Sequence, residues 1–162
     1  MIVRLATSAD IPLYITFAIQ AQNWIRDHGL TQYVPAAHPA GAEIIATRVL
    51  AGSLFVIEAT NVPIGLFSLE RQPSPWWPDD SVPALYLAGM VVASESRGRG
   101  VGAAIITWCL EQARASGCAS VRLDCHAGNP WLTRYYESHG FTLRGLREQH
   151  PGYFGCLYER ML

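Results

Sequence analysis

The chain has 162 residues, half of them apolar and 15 % charged, with 12 Lys and Arg against 13 Asp and Glu for a net charge of −1. That length predicts a single domain over residues 1–162 with enough apolar residues for a sizeable core. The near-neutral balance gives no general attraction to nucleic acid or an anionic membrane, and no apolar run reaches membrane-spanning length.

In chain order, Met1-Ile2-Val3-Arg4 shows no signal-peptide pattern, and Ile2–Leu5 is predicted as a short strand. Thr7, Ser8 and Asp10 are N-cap candidates for a helix over Asp10–His28, with Gly29 where a terminating glycine would sit. A second helix is expected over Ala40–Leu50. Leu54–Ala59 and Pro63–Glu70 read as two strands around Thr60-Asn61, a hairpin signal. Gln72–Pro83 is crowded with prolines and must be an irregular loop. A buried strand (Leu85–Val92), a helix (Val101–Ser116), a strand (Val121–Cys125) and a helix (Pro130–His139) follow. Phe141–Arg144 and Phe154–Glu159 close the chain as strands. The order is mixed α and β, and the strand–helix–strand unit Leu85–Cys125 requires parallel pairing through a right-handed crossover if both strands share a sheet.

The stretch Arg97-Gly98-Arg99-Gly100-Val101-Gly102 places glycines and fixed positive charge between two apolar segments. The first N–H groups of a helix lack intrahelical partners, and the helix dipole puts partial positive charge there. Glycines let a ligand approach the backbone, so the pattern suits a phosphate or pyrophosphate. A P-loop is excluded, because no Gly-Lys-Ser/Thr follows. Gly98-x-Gly100-x-x-Ala103 with Asp124 on the next strand also fits a nucleotide-binding (NAD-type) oxidoreductase fingerprint. Against it, Ala93–Arg97 separate the strand from the first glycine, and too little chain follows Asp124 for a second mononucleotide half.

Arg97-x-x-Gly100-x-Gly102 resembles the Q/R-x-x-G-x-G/A signature of the GCN5-related N-acetyltransferases (GNAT), and Asn129-Pro-Trp-Leu-Thr-Arg-Tyr-Tyr-Glu-Ser-His-Gly-Phe141 resembles that family's second motif. The resemblance covers Leu85–Phe141. It departs from the family at Leu132, where an alanine is common, and at Ser94, where a proline is common. It implies an α/β fold with a splayed mixed sheet of about seven strands and four helices, and acetyl-CoA as cosubstrate. The implied activity is N-acetyl transfer by direct attack of an amine, on a small molecule or a peptide N-terminus, upon the thioester. A non-catalytic acyl-CoA sensor would share the fold, and a homodimer is left open.

The resemblance also implies where the cofactor and the chemistry sit. The pantetheine arm would pair with backbone at Met90, Val91 and Val92. The pyrophosphate would lie on the amides of Gly98, Arg99, Gly100, Val101, Gly102 and Ala103, with the Arg97 and Arg99 side chains nearby. Asn129 would bond the pantetheine or help hold the second strand. Tyr136 occupies the general-acid position, with Tyr135 as a packing residue. No carboxylate lies on the strand Ala84–Val92, so Glu70, Asp79, Asp80, Asp124, His126 and water all stay open as the base. Asp124 could equally pair with Arg122 or Arg134. The four cysteines (Cys109, Cys118, Cys125, Cys156) lack CxxC spacing, are expected as buried reduced thiols, and suit a cytoplasmic protein. His28, His38, His139 and His150 show no metal-ligand spacing. Trp24, Tyr33, Trp76 and Trp77, with Asp79 and Asp80, could wall a site for a cationic acceptor or simply pack.

Overall fold

In the computed structural model, residues 1–32, 34, 37, 41–71, 75–78 and 81–162 are described. Tyr33, His38, Asp79 and Asp80 lie outside them. The described elements are β1 (Ile2–Leu5), α1 (Ile11–Asp27), α2 (Gly41–Leu50), β2 (Leu54–Ala59), β3 (Val62–Glu70), β4 (Ala84–Val92), α3 (Val101–Ala115), β5 (Ser120–His126), α4 (Pro130–Ser138), β6 (Thr142–His150) and β7 (Tyr153–Met161). Hydrogen-bonded neighbours run in the order β1-β2-β3-β4-β5-β7-β6. The β4–β5 pair is parallel, as the crossover requires, while β1–β2, β2–β3, β5–β7 and β6–β7 are antiparallel. The expected mixed α/β fold of seven strands and four helices is thus present among the described residues.

The chain divides into two compact units. The first holds Met1–Leu69 and Gly89–Ile105. Its core is built by Tyr14, Phe17 and Ala18 of α1, Ile45 of α2, Leu54 and Val56 of β2, Leu66 of β3, and Val91 and Ala93. Thr60 and Asn61 both have φ > 0 (52° and 62°), the two-residue turn whose twist suits a hairpin. The entry to α1 is held by charge: Arg4 donates to both Asp10 oxygens at 2.9 Å and to Glu58 at 2.7 Å, and the Thr7 N–H donates to Asp10 at 2.8 Å. These bonds, the Arg4 contact foremost, hold the Asp10 carboxyl at about 2. A lowered carboxyl contributes stability above its unfolded pKa and loses it as pH falls through the folded value. Asp10→Asn is therefore expected to cost about 1–2 kcal/mol at pH 7, given that Arg4 is partly solvated, and only a small part of that at pH 2. Urea melts at the two pH values check this.

The second unit holds Glu70–Ala88 and Ile106–Leu162. β5 is its central strand, with Val121, Leu123 and Cys125 buried. Trp77, Ala84, Tyr86 and Leu157 form a further buried cluster, with Trp76 packed against it. The described part of the proline-rich segment, residues 75–78 and 81–83, forms neither helix nor strand. The closing strands are longer than the sequence reading of Phe141–Arg144 and Phe154–Glu159. β6 extends to His150, through the polar Arg147-Glu148-Gln149-His150, and is exposed along most of its length. It is the last strand in the order, so its pairing with β7 needs no apolar alternation. Cys109, Cys118, Cys125 and Cys156 are free and buried, as expected.

Candidate active site

β4 does not run straight. Gly89, inside the strand, has φ +57°, and the buried Tyr14 donates its hydroxyl hydrogen to the Gly89 carbonyl. A Cβ on Gly89 would lie 2.5 Å from the Tyr14 oxygen and 2.8 Å from Arg48 Nη1. The strand expected over Leu85–Val92 is thus irregular at Gly89. The available signal was a glycine inside a strand pattern, which often marks a bulge or a close backbone approach. Beyond the bend, Val91 is buried in the core of the first unit, while Met90 and Val92 are half-buried.

A 3-10 turn at Ser94–Ser96 leads to Arg97, which is extended. Gly98 and Gly100 have φ +72° and +78°, conformations that side chains resist, and a Cβ on either would point into open space. The Gly100 carbonyl accepts the first helical bond of α3, from the Ala104 N–H at 3.0 Å. The N–H groups of Val101, Gly102 and Ala103 therefore precede that first bond. Arg99 is exposed and Arg97 half-buried. The Arg97 guanidinium carbon lies 6.0 Å from the centroid of the Trp24 ring, and its Nη2 is sealed from solvent with no hydrogen-bond partner. The Glu95 carboxyl is held below its ordinary range by its own N–H and by Ser94, with help from Arg97 and Arg99. Left-handed glycines, helix-start amides and an unsatisfied guanidinium nitrogen fit an anionic group such as the pyrophosphate of coenzyme A. Met90–Val92 and Arg97–Ala103 all fall in the first unit.

The second unit carries the remaining candidates. Parallel pairing of β4 with β5 is found at Ala84↔Ser120, Leu85↔Val121 and Tyr86↔Arg122, whereas β5 stays paired with β7 through His126. Asn129, 3 % exposed, caps α4: its Oδ1 accepts from the Trp131 N–H at 3.2 Å and the Leu132 N–H at 3.3 Å. Its own N–H donates to the His126 carbonyl at 3.1 Å, which fastens the helix start to the end of β5. The Tyr136 ring is buried against Tyr135 at 5.5 Å and Phe141 at 5.8 Å, both near edge-to-face. Burial chiefly, with smaller contributions from Cys125, Tyr135 and Asp124, pushes the Tyr136 phenol far above its ordinary value. Tyr135 instead packs on the His139 ring at 4.4 Å.

Asp124 accepts from Gln149 Nε2 at 2.9 Å rather than pairing with Arg122 or Arg134, and Arg122 pairs with Glu159 at 2.7 Å. Gln149 lies on the part of β6 that was not expected to be a strand, so this partner could not be anticipated. His126 stacks on Tyr153 at 4.2 Å, and its Nδ1 lies 3.3 Å from the Phe154 carbonyl. Glu70 ends β3. Burial, then the neighbouring Cys156, pushes the Cys125 thiol up to about 12, which makes it a poor nucleophile at neutral pH. No cluster of metal-ligating residues occurs among the described residues. Trp77 is buried with the Arg122 guanidinium 4.7 Å over its ring, and Trp76 meets His150 edge-on at 6.3 Å. The face of Trp77 already serves an internal cation.

The family model described as "Acetyltransferase (GNAT) family" matches residues 20–141. The chain is 25 % identical over 132 residues to "Uncharacterized N-acetyltransferase YesJ" of Bacillus subtilis (strain 168), covering 78 % of this chain and 73 % of that protein. It is 36 % identical over 62 residues to "Probable glucosamine 6-phosphate N-acetyltransferase 2" of Oryza sativa subsp. japonica, covering 38 % and 36 %. Among solved structures, a GNAT-family acetyltransferase from Listeria monocytogenes 4b F2365 superposes with TM-score 0.81 at 23 % identity, covering 99 % of this chain and 94 % of that one. A ribosomal-protein-alanine N-acetyltransferase from Brucella melitensis superposes with TM-score 0.70 at 20 % identity, covering all of both chains.

Proposed function

The chain belongs to the GNAT acetyltransferase family, and from that premise we propose that it is an acetyl-CoA-dependent N-acetyltransferase, moving the acetyl group by direct attack of an amine. The observation that carries this reading is the Arg97–Ala103 turn, where left-handed Gly98 and Gly100 precede the α3 amides beside the unsatisfied Arg97 Nη2. Acetyl-CoA supplies an activated acyl thioester. The amides of Gly98–Ala103 bind its pyrophosphate, with Arg97 and Arg99 adding charge. Backbone at Met90–Val92 pairs with the pantetheine arm, and an N–H near Val92 stabilises negative charge on the carbonyl oxygen. Tyr136, kept protonated by burial, gives its proton to the departing thiolate. Asn129 sets the α4 start that carries Tyr136. The acceptor is a small-molecule amine or a peptide N-terminus, and the buried thiols fit a cytoplasmic setting.

A dinucleotide fold is disfavoured by the backbone itself, because the Ser94–Ser96 turn stands between β4 and the first glycine. Acetyl-CoA at a hundredfold excess over its Kd is expected to stabilise the protein by about 2.7 kcal/mol, and NAD(H) not at all. Gly102→Val, which sets a branched side chain among the binding amides, is expected to abolish the acetyl-CoA shift. A melting shift with NAD(H) and none with acetyl-CoA would sink the reading. Normal acetyl-CoA affinity in a folded Gly102→Val protein would remove the phosphate role from this turn.

A further inference from the structure

The segment from Gly89 to Arg97 is gripped at both ends by one helix. At the first end, Tyr14 of α1, 2 % exposed, donates to the Gly89 carbonyl, and the bend fills the space a side chain would need: a Cβ there would lie 2.5 Å from the Tyr14 oxygen. At the other end, Trp24 of α1 lies under Arg97, with the guanidinium carbon 6.0 Å from its ring centroid. The Trp24 ring is itself braced by His28, stacked at 4.0 Å with Nδ1 2.7 Å from the Trp24 carbonyl. Tyr14 and Trp24 are ten residues apart, about 15 Å along a helix at 1.5 Å per residue.

Core filling alone does not account for these contacts. Phe17, Ala18 and Ile45 already pack the same core without a polar group. A hydroxyl aimed at a strand carbonyl fixes where the strand bends. An aromatic face under an arginine fixes where its free nitrogen points. Backbone donors and a guanidinium bind well only when held within a few tenths of an ångström of the productive position.

Building on the reading of this segment as the acetyl-CoA platform, we propose that Tyr14 and Trp24 are positioning residues for acetyl-CoA. Tyr14 sets Met90–Val92 for the acyl-pantetheine end, and Trp24 sets Arg97 for the pyrophosphate end. Helix α1 thereby makes the two ends of the cofactor separately tunable.

The test uses the full chain and three probes by calorimetry or ligand-observed NMR: acetyl-CoA, S-acetylpantetheine, and adenosine 3′-phosphate 5′-diphosphate. Tyr14→Phe keeps the ring and loses the donor. It is expected to weaken acetyl-CoA and S-acetylpantetheine about tenfold while leaving the nucleotide fragment unchanged. Trp24→Leu is expected to weaken acetyl-CoA and the nucleotide fragment about fivefold while leaving S-acetylpantetheine unchanged, with partial rescue by Trp24→Phe. Trp24→Leu should also add nothing in an Arg97→Ala background. A variant that weakens both fragments alike, as a general loss of packing would, overturns the assignment, and so does one that weakens neither. Should Tyr14→Phe fail to fold, the Trp24 pair decides by the same criteria. Failure of the wild-type chain to bind any of the three probes would overturn the acetyltransferase reading itself, and this assignment with it.

Discussion

Tyr136→Phe is expected to lower kcat by about 10²–10⁴-fold, the usual scale for general acid catalysis, and to leave acetyl-CoA affinity at its wild-type level. The substitution keeps the ring that packs on Tyr135 and Phe141 and deletes only the hydroxyl. The loss belongs in kcat because proton donation to the leaving thiolate is made in the transition state rather than in the ground state. It should shrink with an acyl donor whose leaving thiol is more acidic. Burial supports the role in a specific way. A phenol raised far above its ordinary value remains a proton donor throughout neutral and mildly alkaline pH, so it contributes no alkaline limb to the rate profile there. The same shift stabilises the fold below the unfolded phenol pKa, near 10, and that contribution fades as pH rises through the folded value. The variant should lack this alkaline loss. An unchanged kcat, with chemistry shown to limit the rate, would make Tyr136 a packing residue. An equal loss in Tyr135→Phe would give the role to the neighbour, which lies against His139.

The glycine turn was legible in the sequence because its signals are local. Backbone freedom, fixed charge and a helix start all lie within seven residues, Arg97–Ala103. The helices and the strands β2 to β5 are legible for a related reason, since each carries an apolar run or an apolar face and is bounded by glycine, proline or polar turn residues. What escaped was written in pairing rather than in pattern. β6 carries Arg147-Glu148-Gln149-His150, a stretch without apolar alternation, and becomes a strand because β7 offers it hydrogen bonds. With β6 cut short, Gln149 could not be seen as the partner of Asp124, 25 residues away. Gly89 sits inside an apolar strand, where a glycine is only a weak sign of irregular backbone, and its Tyr14 partner lies 75 residues away in the chain. Arg97 is legible as charge and as the first residue of the glycine signature, but nothing in the spacing brings Trp24 beneath it.

Glu159→Ala is expected to destabilise the fold by about 3–5 kcal/mol, the range for breaking a buried ion pair by removing one member. Arg122 and Glu159 stand opposite each other on β5 and β7, with side chains 3 % and 5 % exposed. Glu159 accepts from Arg122 Nε at 2.7 Å, Ser120 Oγ at 2.8 Å and Arg144 Nε at 2.7 Å. Without it, Arg122 loses its 2.7 Å bond to a carboxylate, while the Tyr86 hydroxyl at 3.2 Å and the Trp77 face at 4.7 Å remain among its contacts. Arg122→Ala leaves a less severe deficit, because Glu159 retains Ser120 and the half-exposed Arg144, and should cost about 2–3 kcal/mol, the scale of a lost charged hydrogen bond. Removing both charges together, in Arg122→Met with Glu159→Leu, should recover most of the loss, since an apolar pair of similar volume carries no desolvation penalty. Acid sensitivity provides an independent check. Burial raises the Glu159 carboxyl, but the bonds from Arg122, Ser120 and Arg144 outweigh it and leave the group below its ordinary value. Its contribution is therefore present above the unfolded carboxyl pKa and lost as pH falls through the folded one, so Glu159→Ala should flatten the acid side of the stability profile. Urea melts of the three variants across pH decide the matter. The Arg122–Glu159 pair is not a main support of this unit if Glu159→Ala stays within about 1 kcal/mol of wild type, the scale of an exposed pair, or costs less than Arg122→Ala.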